Sequence, residues 1–458
     1  MEKKMEQRTE NAAAENKMGV MPVGRLLFSM SLPMMISMLV QALYNVVDSM
    51  FVARISEAAL TALSMAFPVQ NLMIAVAAGL GVGLNAVLSR ALGAKDEKGV
   101  NRAATSGILL LTVSAALFVI GGLTVVEPFF HAQTDIAEIV DSGVIYTRIV
   151  MVGSLGLFMQ ILFERLLQST GRTMLTMVSQ ATGAIINIIL DPIFIFGLLG
   201  MPKMGVAGAA LAMLIGQWVA AAMGLVMNIR MNPEVSISMK GFRVHGATIR
   251  RILAIGVPSV IMQSIGSVMM FGMNKILISF TEAATAVFGA YFKLQSFIFM
   301  PCFGLNNAMV PIVSFNYGAQ KFDRVRRAVR LTSYAAIGIM CVGFALLEFI
   351  PETLLGLFSP TEEMLSIGRA ALRIIGIHFP LAGFSIIAGS ACQALGKPTY
   401  ALVSSVCRQI VVLLPAAYLL SLTGRLELVW LSFPIAEIVS VIMNAAFLKR
   451  TYRASLGE

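Results

Sequence analysis

The stretch Pro33-Met34-Met35-Ile36-Ser37-Met38-Leu39-Val40-Gln41-Ala42-Leu43-Tyr44-Asn45-Val46-Val47-Asp48 lies inside a long apolar segment, yet it carries a proline and ends in a carboxylic acid. An acid at bilayer depth costs about 2.5–3.5 kcal/mol on insertion scales, so it marks a functional site by default. Gln41, Asn45 and Asp48 recur at i, i+4 and i+7, which puts them on one helical face, with Tyr44 one turn before Asp48. The proline returns 225 residues later as Pro258.

That offset holds without a gap through much of the chain. Phe67 pairs with Phe292, Gln70 with Gln295, Gly79 with Gly304 and Gly93-Ala94 with Gly318-Ala319. Further on, Arg102-Ala103 pairs with Arg327-Ala328, and Gln168 and Gly171 pair with Gln393 and Gly396. The 458 residues are 57% hydrophobic and 13% charged, against about a quarter charged in a soluble domain. Apolar runs of about 20 residues, the length that crosses the hydrocarbon as a helix, recur throughout. Twelve spans are expected, at about 26–51, 60–86, 104–126, 143–164, 174–199, 206–228, 249–279, 284–311, 331–350, 368–392, 400–422 and 427–448. The expected fold is an all-α membrane protein with two six-helix bundles related by a parallel pseudo-two-fold repeat. Six spans per half send both halves into the membrane the same way, and substrate sites then lie at the repeat interface.

The expected divisions are a tail at 1–24, mobile up to Met18, a first lobe at 25–228, a linker at 229–248, a second lobe at 249–450 and a tail at 451–458. With the N-terminus cytoplasmic, the tails and connectors on that side, together with Arg250 and Arg251 at the start of the seventh span, hold 25 of the 34 Lys and Arg. This is the positive-inside pattern, with both termini inside a bacterial-type cytoplasmic (inner) membrane. The net charge of +10 is therefore topological and does not point to nucleic acid. Four scattered cysteines and three histidines form no metal or disulfide motif. No phosphate-binding GxxxxGK[ST] loop occurs, so energy must come from an ion or substrate gradient.

Within the spans, Asp48 and Asp191 are the acids of greatest interest. Counted from the cytoplasmic ends of their helices, both fall in the outer half of the first bundle. Asn187 precedes Asp191 by one turn, and Pro192 removes a helical donor, as Pro33 does in the first span. Two carboxylates close together in a low dielectric cannot both easily ionise, which suits them to a proton or small cation. Tyr146 is placed to donate into this cluster or to anchor at the interface. The substrate pathway is expected to involve Met38, Gln41, Tyr44, Asn45, Gln70, Met262, Met269, Lys293, Gln295 and His378. For Lys293, His378 and Glu437, a static buried pair or hydrogen bond is the simpler reading. Glu164-Arg165 and Arg172 are expected to form interfacial salt bridges.

Several ordered strings resemble the MATE (multidrug and toxic compound extrusion) family. They are Leu32-Pro33 followed by Tyr44-Asn45-Val46-Val47-Asp48; Leu92-Gly93-Ala94-Lys95; Gln168-Ser169-Thr170-Gly171; Asn187-Ile188-Ile189-Leu190-Asp191-Pro192; and Phe292-Lys293-Leu294-Gln295 through Asn316-Tyr317-Gly318-Ala319. The resemblance covers about residues 22–450 and is greatest to the DinF-like branch with its bacterial multidrug exporters. It implies a V-shaped two-lobed fold. It also implies a cation site of Asp48, Asp191, Asn187 and Tyr146, and a first helix that bends at Pro33. Gly205-Val206-Ala207-Gly208-Ala209-Ala210 lacks the threonine of some members, which weighs against sodium. Gln263 to Asn274 lacks the acid that other branches place in span 7.

The chain is thus expected to be a non-enzymatic, monomeric antiporter. It would export amphipathic, often cationic small molecules in exchange for protons, with sodium the alternative ion and no other cofactor. Two other classes are a lipid-linked saccharide flippase, disfavoured by the scarcity of Arg and Lys within the first-lobe spans, and a non-transporting receptor or scaffold, which has no need of buried acids.

Overall fold

A computed structural model of the chain describes residues 16–235, 244–358 and 360–457. Residues 1–15 of the expected tail and 236–243 of the expected linker lie outside the described residues. The first bundle comprises Val23–Ala53 (α1), Glu57–Gly93 (α2), Glu97–Thr124 (α3), Ala137–Val152 (α4), Leu155–Ser169 (α5), Thr173–Phe196 (α6) and Val206–Met231 (α7). The second comprises Gly246–Ile278 (α8), Glu282–Gly318 (α9), Phe322–Phe349 (α10), Glu362–Gly376 (α11), Phe379–Ala394 (α12), Pro398–Ser421 (α13) and Ser432–Leu456 (α14). Among the described residues, ten helices are long and apolar enough to cross a membrane singly, and the pairs α4–α5 and α11–α12 bring the number to twelve if each is one broken span.

Those two breaks depart from the single spans expected at 143–164 and 368–392. The helices bend by 44° at Gly153-Ser154 and by 45° at Ile377-His378, and Gly153 and His378 are counterparts at the 225-residue offset. In the second bundle Pro380 follows at once and cannot continue the preceding helix. In the first, Gly153 presses against Leu214, and Ser154 Oγ turns to donate to the Ala115 carbonyl at 3.3 Å. The boundaries of other spans also moved, because α2 and α9 continue about two turns beyond the ends expected for them.

The repeat extends to individual contacts. Ser56 caps α2 by accepting from Ala59 N, and Thr281 caps α9 by accepting from Ala284 N, both at 3.0 Å. Such caps satisfy donors that the first helical turn leaves unpaired. Ser89 Oγ donates to the Ser169 carbonyl at 3.1 Å, and its counterpart Ser314 donates to the Ala394 carbonyl at 3.2 Å. Between the bundles, α1 packs on α9 and α8 packs on α2, which are the same pairing under the repeat. Small residues let these backbones meet. A Cβ at Gly79 would lie 2.6 Å from Val260 Cγ2, and one at Gly304 would lie 2.6 Å from Met35 Cα. Nearer the end of the molecule, Gly93 abuts the Phe315 carbonyl and Gly318 abuts the Arg90 carbonyl. The bundles therefore close on each other where α2 and α9 end. Towards the start of α2, Leu60 and Phe67 are exposed, as are Leu43 and Met50 in the second half of α1.

The chain entering α1 seals the same closed end. Lys17–Val20 form one short helical turn, and Met18 is fully buried against the second-bundle core. The expectation of mobility up to Met18 does not hold for residues 16–18. Asn16 Nδ2 donates to the Thr170 carbonyl at 3.2 Å and to Glu234 Oε1 at 2.7 Å, both on the first bundle's side. From the second bundle, Asn316 and Arg324 donate to the Met18 carbonyl, Arg324 to Met21 and Lys321 to Gly19. Burial pulls the Lys17 ammonium below the usual lysine range and pushes the Glu234 carboxyl up. This segment is a strap across both bundles.

Candidate functional site

α6 supplies the spine of the site. Thr176, Gln180, Asn187 and Asp191 follow one another at spacings of four, seven and four residues, so one face of a single helix carries them all. Asp191 is fully buried, and Asn187 is only 3% exposed. α1 packs alongside α6 and brings Asp48 against Asp191, with the Tyr44 and Tyr146 side chains close enough to interact electrostatically with both acids. From α2, Gln70 Nε2 donates to the Tyr146 hydroxyl at 3.3 Å and approaches Met213 Sδ at 3.5 Å. The sequence-expected cation cluster of Asp48, Asp191, Asn187 and Tyr146 is thus brought together within the first bundle. Both helices run on through their prolines, Pro33 and Pro192.

The acid pair is short of donors. Neither Asp191 oxygen receives a hydrogen bond, and neither the oxygen nor the nitrogen of the Asn187 amide has a partner. An ionised carboxylate only accepts, whereas a protonated one also donates. A proton on either aspartate therefore converts two facing acceptors into a bonded pair. An orphaned buried polar group costs about 1–3 kcal/mol, which gives the pair a physical reason to take one up.

Below the acids a cleft of about 470 Å³, its open mouth included, is lined by Gln41, Tyr44, Gln160, Gln180, Asn187 and Gln217, with Leu157 and Met213 as apolar walls. Gln180 Nε2 donates to Gln41 Oε1 at 3.4 Å, while Gln180 Oε1 is buried without a partner. Gln160, Gln180 and Gln217 were not singled out from sequence. Gln180 carried a signal, lying seven residues before Asn187 on the same face. Gln160 and Gln217 sit in otherwise apolar helices and become visible only when α5 and α7 close around α6.

Other expected pathway residues lie apart from this cluster. Asn45 is exposed on α1 and lines no part of the cleft. Met38 is half-buried. Met269 belongs to the second-bundle core, and Met262 Sδ takes a hydrogen bond from Gln393 at 3.3 Å. Lys293 is exposed, 5.8 Å from the Phe358 ring, and Gln295 keeps an unpartnered Oε1. His378 is buried among Phe299, Phe379 and Phe433. Glu437 is buried and pairs at 3.0 Å with the half-buried Arg408. Glu164-Arg165 does not form the expected interfacial salt bridge. Glu164 is 6% exposed, and Arg165 donates instead to Gln168 at 2.9 Å and to Asn307 of the second bundle at 3.3 Å.

The family model MatE matches this chain twice, over residues 33–193 and 258–419. The chain belongs to the MatE family. The two matches begin 225 residues apart, so the family model describes one half of the chain and fits both. Among MatE relatives, a protein of Shewanella oneidensis named FAD transporter is 26% identical over 91% of this chain and 92% of its own. The multidrug export protein MepA of Staphylococcus haemolyticus is 25% identical over 90% of each chain. A solved structure described as the outward-facing conformation of a multidrug resistance MATE family transporter superposes with a TM-score of 0.92 at 25% identity, covering 97% of this chain and 99% of that one. The two-bundle architecture of a MATE transporter is thereby established for this multi-pass membrane chain, which belongs to a family of transporters.

Proposed function

We propose that this MatE protein is a proton-coupled antiporter that exports amphipathic small molecules by alternating access from the cytoplasmic membrane, with both termini inside. One observation carries the reading: Asp191 is wholly buried, faces Asp48, and has no protein donor for either oxygen. With the termini inside, the closed, strapped end is cytoplasmic and the bundles are open to the outside. Substrate held beside the carboxylates leaves when a proton from outside enters the pair. A proton drives the cycle only by binding the two states differently, and here it changes the number of hydrogen bonds that the α1–α6 contact can make. The absence of a span-6 hydroxyl in Gly205 to Ala210 favours a proton over sodium. The chain acts as a monomer in this scheme.

The experiment is transport in vesicles carrying purified protein under an imposed pH gradient. Asp48→Asn and Asp191→Asn should each abolish gradient-driven dye movement, and replacing sodium by choline should leave the unmodified protein's rate unchanged. Gradient-driven transport by both variants would overturn the reading.

A second reading concerns the cargo. Carboxamides both donate and accept, so the Gln- and Asn-lined cleft suits a planar heterocycle rich in both functions, and one relative is named for FAD. Competition by flavins against the dye tests it.

A further inference from the structure

Glu164 is a buried acid that the coupling scheme leaves unused. Its carboxyl, in α5, accepts from Gln160 Nε2 at 2.9 Å. Arg165, next in the chain, is the one charged group acting on it, and its guanidinium is engaged elsewhere. α2, α3, α6, α7 and α9 all pack on α5, yet among the described residues none brings a second charge to this carboxyl. An ionisable side chain in such a place, inside a membrane-spanning bundle, calls for a function.

Its position supplies one. Thr176 Oγ1 donates to the Glu164 carbonyl at 3.4 Å, so the two residues are level. Thr176 precedes Asp191 on α6 by 15 residues, about 22 Å of helix at 1.5 Å per residue. The intervening space is the carboxamide cleft: Asn187 lies one turn from Asp191 at its top, and Gln160, which holds Glu164, is in its wall. Carboxamides do not titrate, but they hold and orient water, which needs two to four polar partners. Gln180 Oε1 and both polar atoms of Asn187 are unpartnered there.

We propose that Glu164 is the inner terminus of a proton path through the first bundle. The proton released by the Asp48–Asp191 pair crosses water in the cleft and is accepted by the Glu164 carboxylate. Glu164 then returns it to the inner aqueous phase and is again ionised. One proton enters at the acid pair and one leaves at Glu164, with no other species consumed. This rests on the proton-coupled reading above.

The test is proton-driven efflux in proteoliposomes with inner pH varied at fixed outer pH. Glu164→Gln should slow net efflux by roughly tenfold or more and remove its dependence on inner pH, and Glu164→Asp should recover part of both; tenfold corresponds to about 1.4 kcal/mol on the limiting barrier. Unaltered rate and inner-pH dependence in Glu164→Gln would overturn the proposal. So would a slower rate with unaltered inner-pH dependence, because that marks a purely structural role. If Glu164→Gln does not purify as a monodisperse protein, Gln160→Met carries the same two outcomes, since it keeps the carboxylate and cuts its link to the cleft. Asp48→Asn separates the two claims. If Asp48→Asn and Asp191→Asn both still couple, the acid-pair reading fails along with this path; if Asp48→Asn does not couple while Glu164→Gln behaves as wild type, the path alone fails.

Discussion

Under the proposed function, Asn187 shows most plainly what is asked of a single residue. Its amide is buried and bonded to nothing in the protein, a condition that selection for stability alone removes. Asn187→Leu should leave the detergent-solubilised protein as stable as wild type or raise its stability by about 1–3 kcal/mol, the cost of an orphaned polar group, while transport is lost. Thermal unfolding paired with the vesicle assay checks this, and loss of stability together with transport would make Asn187 structural. At this scale the sequence was informative wherever polarity stood out against an apolar background. Asp48, Asp191 and Asn187 are legible because charge and amide are rare in spans. Glu164 was misread because its neighbour Arg165 offered a ready partner on paper. Which way each side chain turns depends on α5 packing against five other helices, and no local pattern encodes that.

Among the elements, α2 and α9 do the most to hold the bundles together. Each ends on a glycine whose missing side chain makes room for a carbonyl of the other, Gly93 for Phe315 and Gly318 for Arg90. Gly93→Val and Gly318→Val should destabilise this closed state by similar amounts, about 1–3 kcal/mol for forced overpacking. Distance measurements between spin labels on the ends of α2 and α9 should show the closed-end separation increasing in both variants. A change in only one of them would mean that the repeat is not functionally symmetric. The glycines were visible in the sequence as offset partners, but their role was not, because it depends on a backbone approach between segments more than 200 residues apart. The breaks in spans 4 and 10 were equally hidden. Hydrophobic periodicity records which face of a helix is apolar and is nearly blind to a 44° change of direction.

For the whole molecule, the strap at residues 16–21 adds a further link between the two bundles. Its sequence has no match at the 225-residue offset, where Gly241 to Gly246 stand. Arg324 donates to the carbonyls of both Met18 and Met21, so Arg324→Ala should weaken docking by about 1–3 kcal/mol, two hydrogen bonds at roughly 1 kcal/mol each. Limited proteolysis should then cut near Met18 faster than in the wild type, and an unchanged rate would show that Met18 burial alone holds the strap. The two-bundle plan was readable in advance from the offset and the charge bias, since both are written along the chain. The strap was not, since a short mixed-charge segment docks only where two bundles already provide carbonyl-binding groups.

Within α13, residues Cys407–Leu413 form a π-helical segment. A π turn holds one more residue than an α turn, and the second family match is correspondingly one residue longer than the first, 258–419 against 33–193. One added residue shifts every later side chain by about 100° of helical phase. Counted through it, the position equivalent to Asp191 is Ala417, and Asp48 maps onto Met273; both are fully buried in apolar packing. The duplicated chain therefore carries a built-in control: a half with the same chassis in which hydrocarbon stands at both positions of the acid pair. Grafting the acids into that half requires the 226-residue register at Ala417 and the 225-residue register at Met273, and an engineer who used one offset for both would aim a carboxylate into the wrong wall.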